Sequence, residues 1–302
     1  RRQGCRRGST PTIGLAPTTE GVPRPRHILA ADWSGAATGE AHTLWLASAT
    51  PGPSATPGPS AAERSGVLTG LRPMTRRQAA DAIIDAATAD PALIVGLDFS
   101  FSTPAWWLVA NGALCPGELW GDSGRLERWL ADCHPPFWGR PGHPRPTEMG
   151  GRALRLTEQA APGRPGSVFQ IGGAGSVGTA SLRGMPTLAR LRDAGFAIWP
   201  FDHWDLPVVV EVWPRLAIGG LVKSRPAARR QWAAAEEHRL ERVDPRPIHD
   251  SADALDATAA ALWLCDRWCQ ARPDIDDATV ALEGWIDGVA LSGDDMVVDL
   301  GR

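Results

Sequence analysis

The chain is 302 residues long, 43% hydrophobic and 22% charged, with a formal net charge of -3. That length and apolar content suffice for a sizeable core, so one large domain with insertions, or two small ones, is expected. The charge balance excludes a grossly basic protein, and no run approaches the roughly eighteen continuous apolar residues of a membrane helix. Any nucleic-acid contact must therefore come from a local patch, and no membrane partner is expected.

Residues 1–26 are rich in Arg, Pro, Thr and Gly without an apolar period and begin with Arg, so a disordered extension or an upstream-translated stretch is expected there. The fold is expected to begin near His27 and to occupy 27–302. HILAADWSG (27–35) and HTLWLASA (42–49) read as two strands, the tandem TPGPSA repeat over 50–61 as a linker, and Val67 to Leu71 as a third strand. Helical spacing of Ala79, Ile83 and Ala86/Ala87 predicts a helix over 75–90 with Thr75 as its N-cap, followed by a buried strand at ALIVGLDF (92–99).

Residues 101–166 are Trp- and Pro-rich, hold a predicted helix at 122–132, and read as an insertion. SVFQI (167–171) reads as a strand, the next helix reaches Ala194, and FAIWPF (196–201) and VVVEVWP (208–214) are further strands. A polar helix (226–242), an Ala-rich helix from Ser251 to Cys269 and a terminal helix near 275–286 complete the pattern. The five cysteines are odd in number and scattered, which predicts free thiols, a reducing compartment and a cytoplasmic location.

Acidic residues stand where apolar runs end. Asp32 shares a strand face with Ile28 and Ala30, and Asp98 with Ile94 and Gly96. Small neighbours leave room beside a carboxylate at the carboxyl edge of a sheet, where open α/β sheets bind ligands. Each Asp alone is also compatible with a turn or cap. Glu211 interrupts a valine run, as an inward ligand or on an edge strand facing water. Asp253 and Asp256 share one helical face. Asp253 is partly accounted for by an Asp250-x-x-Asp253 capping pattern, whereas Asp256 lies deeper among Ala252, Ala259 and Ala260. Gathered together, such carboxylates would repel one another unless a hard cation neutralised them, which suits Mg2+ or Mn2+ and phosphodiester chemistry.

The phrases DWSG, GLDFSFSTPAW, SVFQIGGAGSVGTASLRGMP, GFAIWPFD, VVEVWPR and SADALDA resemble the family known as domain of unknown function 429, over nearly all of 27–290. That family is described as predicted nucleases of RNase H-like fold. The resemblance implies a mixed sheet, three antiparallel strands and then parallel ones, flanked by helices. It also implies a metal-dependent nuclease or phosphodiesterase, with Asp32, Asp98, Glu211 and Asp256 as catalytic acids and Asp32, Asp98, Asp253 and Asp256 as metal ligands. A nucleotide-handling phosphotransferase of the same superfold and a catalytically silent binding module stay open.

GAGSVG (173–178) matches the dinucleotide fingerprint literally, with Asp202 at a plausible remove. The preceding strand is short and Gly184-Met185-Pro186 is expected to end the helix early, which disfavours that reading. The amides around Gly173, Gly175, Ser176 and Gly178 suit a phosphate of nucleic acid or nucleotide, with packing glycine as the plainer explanation. Lys223, the only lysine in the chain, is a further candidate for phosphate contact. The tryptophans of 101–166 suit either core or base stacking.

Overall fold

The computed structural model describes residues 24–52, 66–163, 165–173, 175–268, 270 and 277–290. Most of the expected N-terminal extension and most of the TPGPSA repeat lie outside these residues. Six strands form one sheet: β1 (His27–Asp32), β2 (Trp45–Thr50), β3 (Val67–Pro73), β4 (Leu93–Asp98), β5 (Ala197–Ile198) and β6 (Val208–Glu211). Their order is β3-β2-β1-β4-β6-β5. The β3-β2 and β2-β1 pairs are antiparallel; β1-β4, β4-β6 and β6-β5 are parallel. The chain is thus α/β, with a mixed sheet flanked by helices.

Twelve α-helices accompany the sheet among the described residues: α1 (Arg76–Ala89), α2 (Ala105–Ala110), α3 (Pro116–Trp120), α4 (Ser123–Asp132), α5 (Leu156–Ala160), α6 (Gly178–Asp193), α7 (Arg215–Ile218), α8 (Pro226–Ala235), α9 (Glu237–Leu240), α10 (Arg246–Asp250), α11 (Ala252–Arg267) and α12 (Val280–Glu283). Thr75 caps α1 as expected, in a reciprocal capping box with Gln78. Ser251 caps α11 instead of Asp250, accepting from the amides of Asp253 and Ala254.

The two sheet faces carry two apolar cores. Leu29, Ala31, Val95, Leu97 and Val209 face α1, α6 and much of the aromatic segment after β4. Ile28, Ala30, Ile94, Val208 and Val210 face α11. Burial on both faces is why β1, β4 and β6 read as continuous apolar runs instead of alternating ones. Small residues bring α11 close to the sheet. A methyl group added at Gly96 would lie 2.7 Å from Leu264 Cδ1 and 2.9 Å from Val212 Cγ1. Ala257, Ala260 and Ala261 supply the matching low profile on α11.

Several expectations are corrected. SVFQI is not a strand of the sheet: only Gln170 pairs, in an isolated bridge with Trp138. Pro186 does not end α6, which runs through it. The cost of an interior proline is about 3 kcal/mol, and the helix withstands it while burying Leu182, Met185, Leu188 and Leu191. The polar helix is two, α8 and α9, parting at Glu236. The expected terminal helix is described over 277–286 and is helical only at α12, and FAIWPF yields only the two residues of β5. Cys115 is disulfide-bonded, which removes the cysteine argument for a reducing compartment, while Cys133 and Cys265 are free and buried. Among the described residues no helix is long and apolar enough to cross a membrane.

The Trp-rich segment shares the core of α1 and α6. Trp120 and Phe137 are buried in it, and Trp107 packs on Trp129 with ring centroids 5.6 Å apart. Core packing therefore accounts for these aromatics.

Gly96→Val should overpack the α11 interface and cost about 1–3 kcal/mol. Urea denaturation checks this, and an unchanged midpoint would show that α11 does not lie that close.

Candidate metal centre

Strand register creates the first half of the site. β1 and β4 run parallel with Asp32 opposite Asp98, so the two carboxyls emerge side by side at the carboxyl edge. Alternation puts both on the face of Ile28, Ala30 and Ile94, the face that α11 covers. The close approach at Gly96 lets α11 deliver Asp256 from above. One oxygen from each of Asp32, Asp98 and Asp256 lies within 4.8 Å of the other two.

These groups are out of water and alike in charge. Burial raises the Asp32 carboxyl well above its ordinary range, and the charges of Asp98, Asp256 and Asp253 raise it further. Asp98 is pushed up to about 7, first by burial and then by Asp256, with a side-chain hydrogen bond to Asp32 working the other way. Asp256 is raised by burial against the opposing pull of Lys223. Its side chain is 3% exposed: Oδ2 takes the Lys223 ammonium, while Oδ1 is buried with no hydrogen-bond partner. A buried unsatisfied carboxylate oxygen costs about 1–3 kcal/mol or more, so it stands out as a candidate ligand atom.

Asp253 is not one of the three converging carboxylates. It sits half-buried in the first turn of α11, its own carboxyl raised by burial, and acts on Asp32 only through space. Glu211 is also turned elsewhere. It pairs in register with Leu97, not Asp98, and so belongs to the opposite face of the sheet. There Arg155 grips both of its oxygens, at 2.5 and 2.8 Å, and the Phe101 amide donates to Oε2 at 3.0 Å. β6 lies between β4 and β5, so the edge-strand reading of Glu211 does not apply either.

Arg155 had no part in the sequence reading. It is fully buried, donating also to Glu158 Oε1 at 2.9 Å and to the Glu283 carbonyl at 2.9 Å. Glu283 in turn accepts from the amides of Ala105 and Leu156. Ser100 reaches Glu158 through its hydroxyl and Ser181 through its amide. The loop that follows Asp98 is thereby pinned from three directions. The Arg155-x-x-Glu158 spacing was its one visible signal, and arginine is too common in this chain to mark it.

The glycine loop lies beside the same edge, because Gly35 after β1 packs on the first turn of α6. A methyl group there would lie 2.6 Å from the Ala180 nitrogen. Gly173 and Gly175 are exposed with left-handed φ of 78° and 74°, and Ser176 is half-buried. Gly178 is a packing glycine: a methyl group would strike the Val168 carbonyl oxygen at 2.1 Å, and its amide already donates to Gln170. The hydroxyls of Thr179 and Ser181 donate to the Ile171 and Val177 carbonyls. The strand required by the dinucleotide fingerprint is lacking, since residues 167–171 join no sheet.

No family model, curated protein or solved structure matches the chain.

The raised Asp98 pKa fixes a sign for stability. The carboxyl gains from folding below pH ~4, and that gain is lost as pH rises through about 7. Asp98→Asn should therefore stabilise the protein at pH 8 in a chelator, by about 1–2 kcal/mol, with the gain vanishing towards pH 4. Scanning calorimetry across pH reads this, and a variant less stable than wild type at pH 8 would count against the electrostatic account.

Proposed function

We propose that the chain is a metal-dependent phosphodiesterase or nuclease of RNase H-like architecture, with Asp32, Asp98 and Asp256 holding Mg2+ or Mn2+. The observation that carries this reading is the convergence of three carboxylates from three separate elements, one of them ending in a buried, unpartnered oxygen. Oxygen-only donors with no His or Cys among them suit a hard divalent cation. The strand order, antiparallel to parallel, with acids at the ends of β1 and β4 and on the long α11, agrees with the fold implied by the resemblance.

A cation bound there would supply Lewis-acid chemistry, polarising a phosphoryl oxygen and lowering the pKa of a coordinated water. The chain's own residues prepare the place. Asp32 and Asp98, once ionised, present adjacent oxygens fixed by the β1-β4 ladder, and Asp256 offers Oδ1 from above. Asp253 adds negative potential without direct contact. Glu211, engaged by Arg155 and Phe101, positions the loop after β4, so we assign it no proton-transfer role. Nucleic acid or a nucleotide is the substrate class this chemistry favours. A phosphotransferase and a silent binding module are the outcomes that the same test separates.

Titration calorimetry should show Mn2+ binding to the wild type and none to Asp32→Asn/Asp98→Asn. Affinity should fall as pH drops below about 7, because Asp98 must lose its proton to ligate. Mn2+-dependent cleavage of bis(p-nitrophenyl) phosphate should accompany binding and vanish in the double variant. Equal binding traces for wild type and double variant would remove the cation site; binding without cleavage would favour the silent module, and phosphoryl transfer from ATP the kinase-like reading.

A further inference from the structure

Lys223 is the one lysine among 31 Lys and Arg residues, and it is the residue paired with Asp256. Everywhere else this chain supplies positive charge as arginine. The two are not equivalent: a guanidinium holds a carboxylate through a rigid two-point fork, whereas an ammonium is a compact point charge on a flexible stem. Here the ammonium takes Oδ2 and leaves Oδ1 without a partner. The Lys223 side chain is 46% exposed while Asp256 is 3% exposed, so the lysine has somewhere to go and the carboxylate does not.

The backbone beneath it is fixed. Buried Arg229 donates to the Lys223 carbonyl at 2.7 Å, to the His249 carbonyl at 2.8 Å and to that of Asp250 at 3.2 Å. Those last two residues lead directly into α11, the helix of Asp256. Arg229 thus ties the root of Lys223 to the start of that helix, and only the stem and head group are left to swing. The Lys223 charge also acts on Asp32 and Asp98, so one ammonium serves all three carboxylates.

We propose that Lys223 is the exchangeable counter-cation of the triad: its ammonium occupies the site in the free protein, and an entering divalent ion must displace it from Asp256. This inference rests on the cation-site reading above. A displaceable single charge makes the site selective, because an incoming ion has to neutralise the carboxylates better than a resident monovalent group does. The released ammonium would then stand at the mouth of the site on its anchored backbone, placed to meet an anionic substrate group.

Mn2+ titration calorimetry at pH 8.5 on wild type, Lys223→Met, Lys223→Gln and Lys223→Arg tests this. Removing the competing charge should tighten Mn2+ binding at least tenfold in both neutral variants: a unit charge about 4 Å away is worth about a thousandfold at an effective dielectric constant of about 20 and about fivefold in bulk water, and the half-exposed ammonium lies between these limits. Lys223→Arg should bind no more tightly than wild type. A thermal melt of each variant confirms that it is folded, and two independent neutral variants guard against loss of one. Wild-type binding as tight as that of both neutral variants would overturn it while leaving the cation site intact. Silence from every variant would overturn both.

Discussion

Carboxylates packed against the edge of a hydrophobic sheet cannot all ionise unless something positive joins them. In this chain that constraint organises a large share of the polar interior. Asp32 and Asp98 are forced abreast by the β1-β4 register, Asp256 is lowered onto them by a helix that small residues allow close, and Lys223 answers the resulting charge. On the other sheet face the same problem is solved differently. Arg155 neutralises Glu211 and Glu158 through a buried network of direct hydrogen bonds, where its own ionised form is favoured because those two charges outweigh its burial.

The contrast between these two clusters separates a scaffold from a site. Around Arg155 the donors find acceptors in carboxylates and carbonyls, and breaking such a network on one side costs about 3–5 kcal/mol. Around Asp256, among the described residues, one oxygen has no partner and the ion pair comes from a half-exposed lysine. A protein that satisfied one buried cluster so thoroughly has left the other open at the place where parallel strands present their carboxyl ends. Stability alone would favour asparagine at Asp98, because burial and the charge of Asp256 disfavour its ionised carboxyl.

Much of this was legible in the sequence because it depends on local pattern. Apolar runs marked β1, β4 and β6, the Thr75 N-cap marked α1, and small residues two before Asp32 and Asp98 marked room beside both carboxylates. What could not be read was relative register. Whether Glu211 stands beside Leu97 or beside Asp98 is a one-residue matter that decides which face its side chain joins, and nothing within either strand reveals it. Arg155 was hidden for a different reason: beyond Glu158, its partners Glu211 and Glu283 are 56 and 128 residues away in the chain. The α6 helix was misjudged at Pro186 because a local penalty was weighed without the tertiary burial that overrides it.

The proposed cation site requires oxygens of Asp32, Asp98 and Asp256 to meet on one ion. Crystals grown with Mn2+ and measured at a wavelength with strong manganese anomalous scattering test it most directly. The account predicts an anomalous peak in contact with oxygens of all three residues and the Lys223 ammonium withdrawn from Asp256. No peak at the triad at saturating Mn2+, with Lys223 still seated on Asp256, would contradict it.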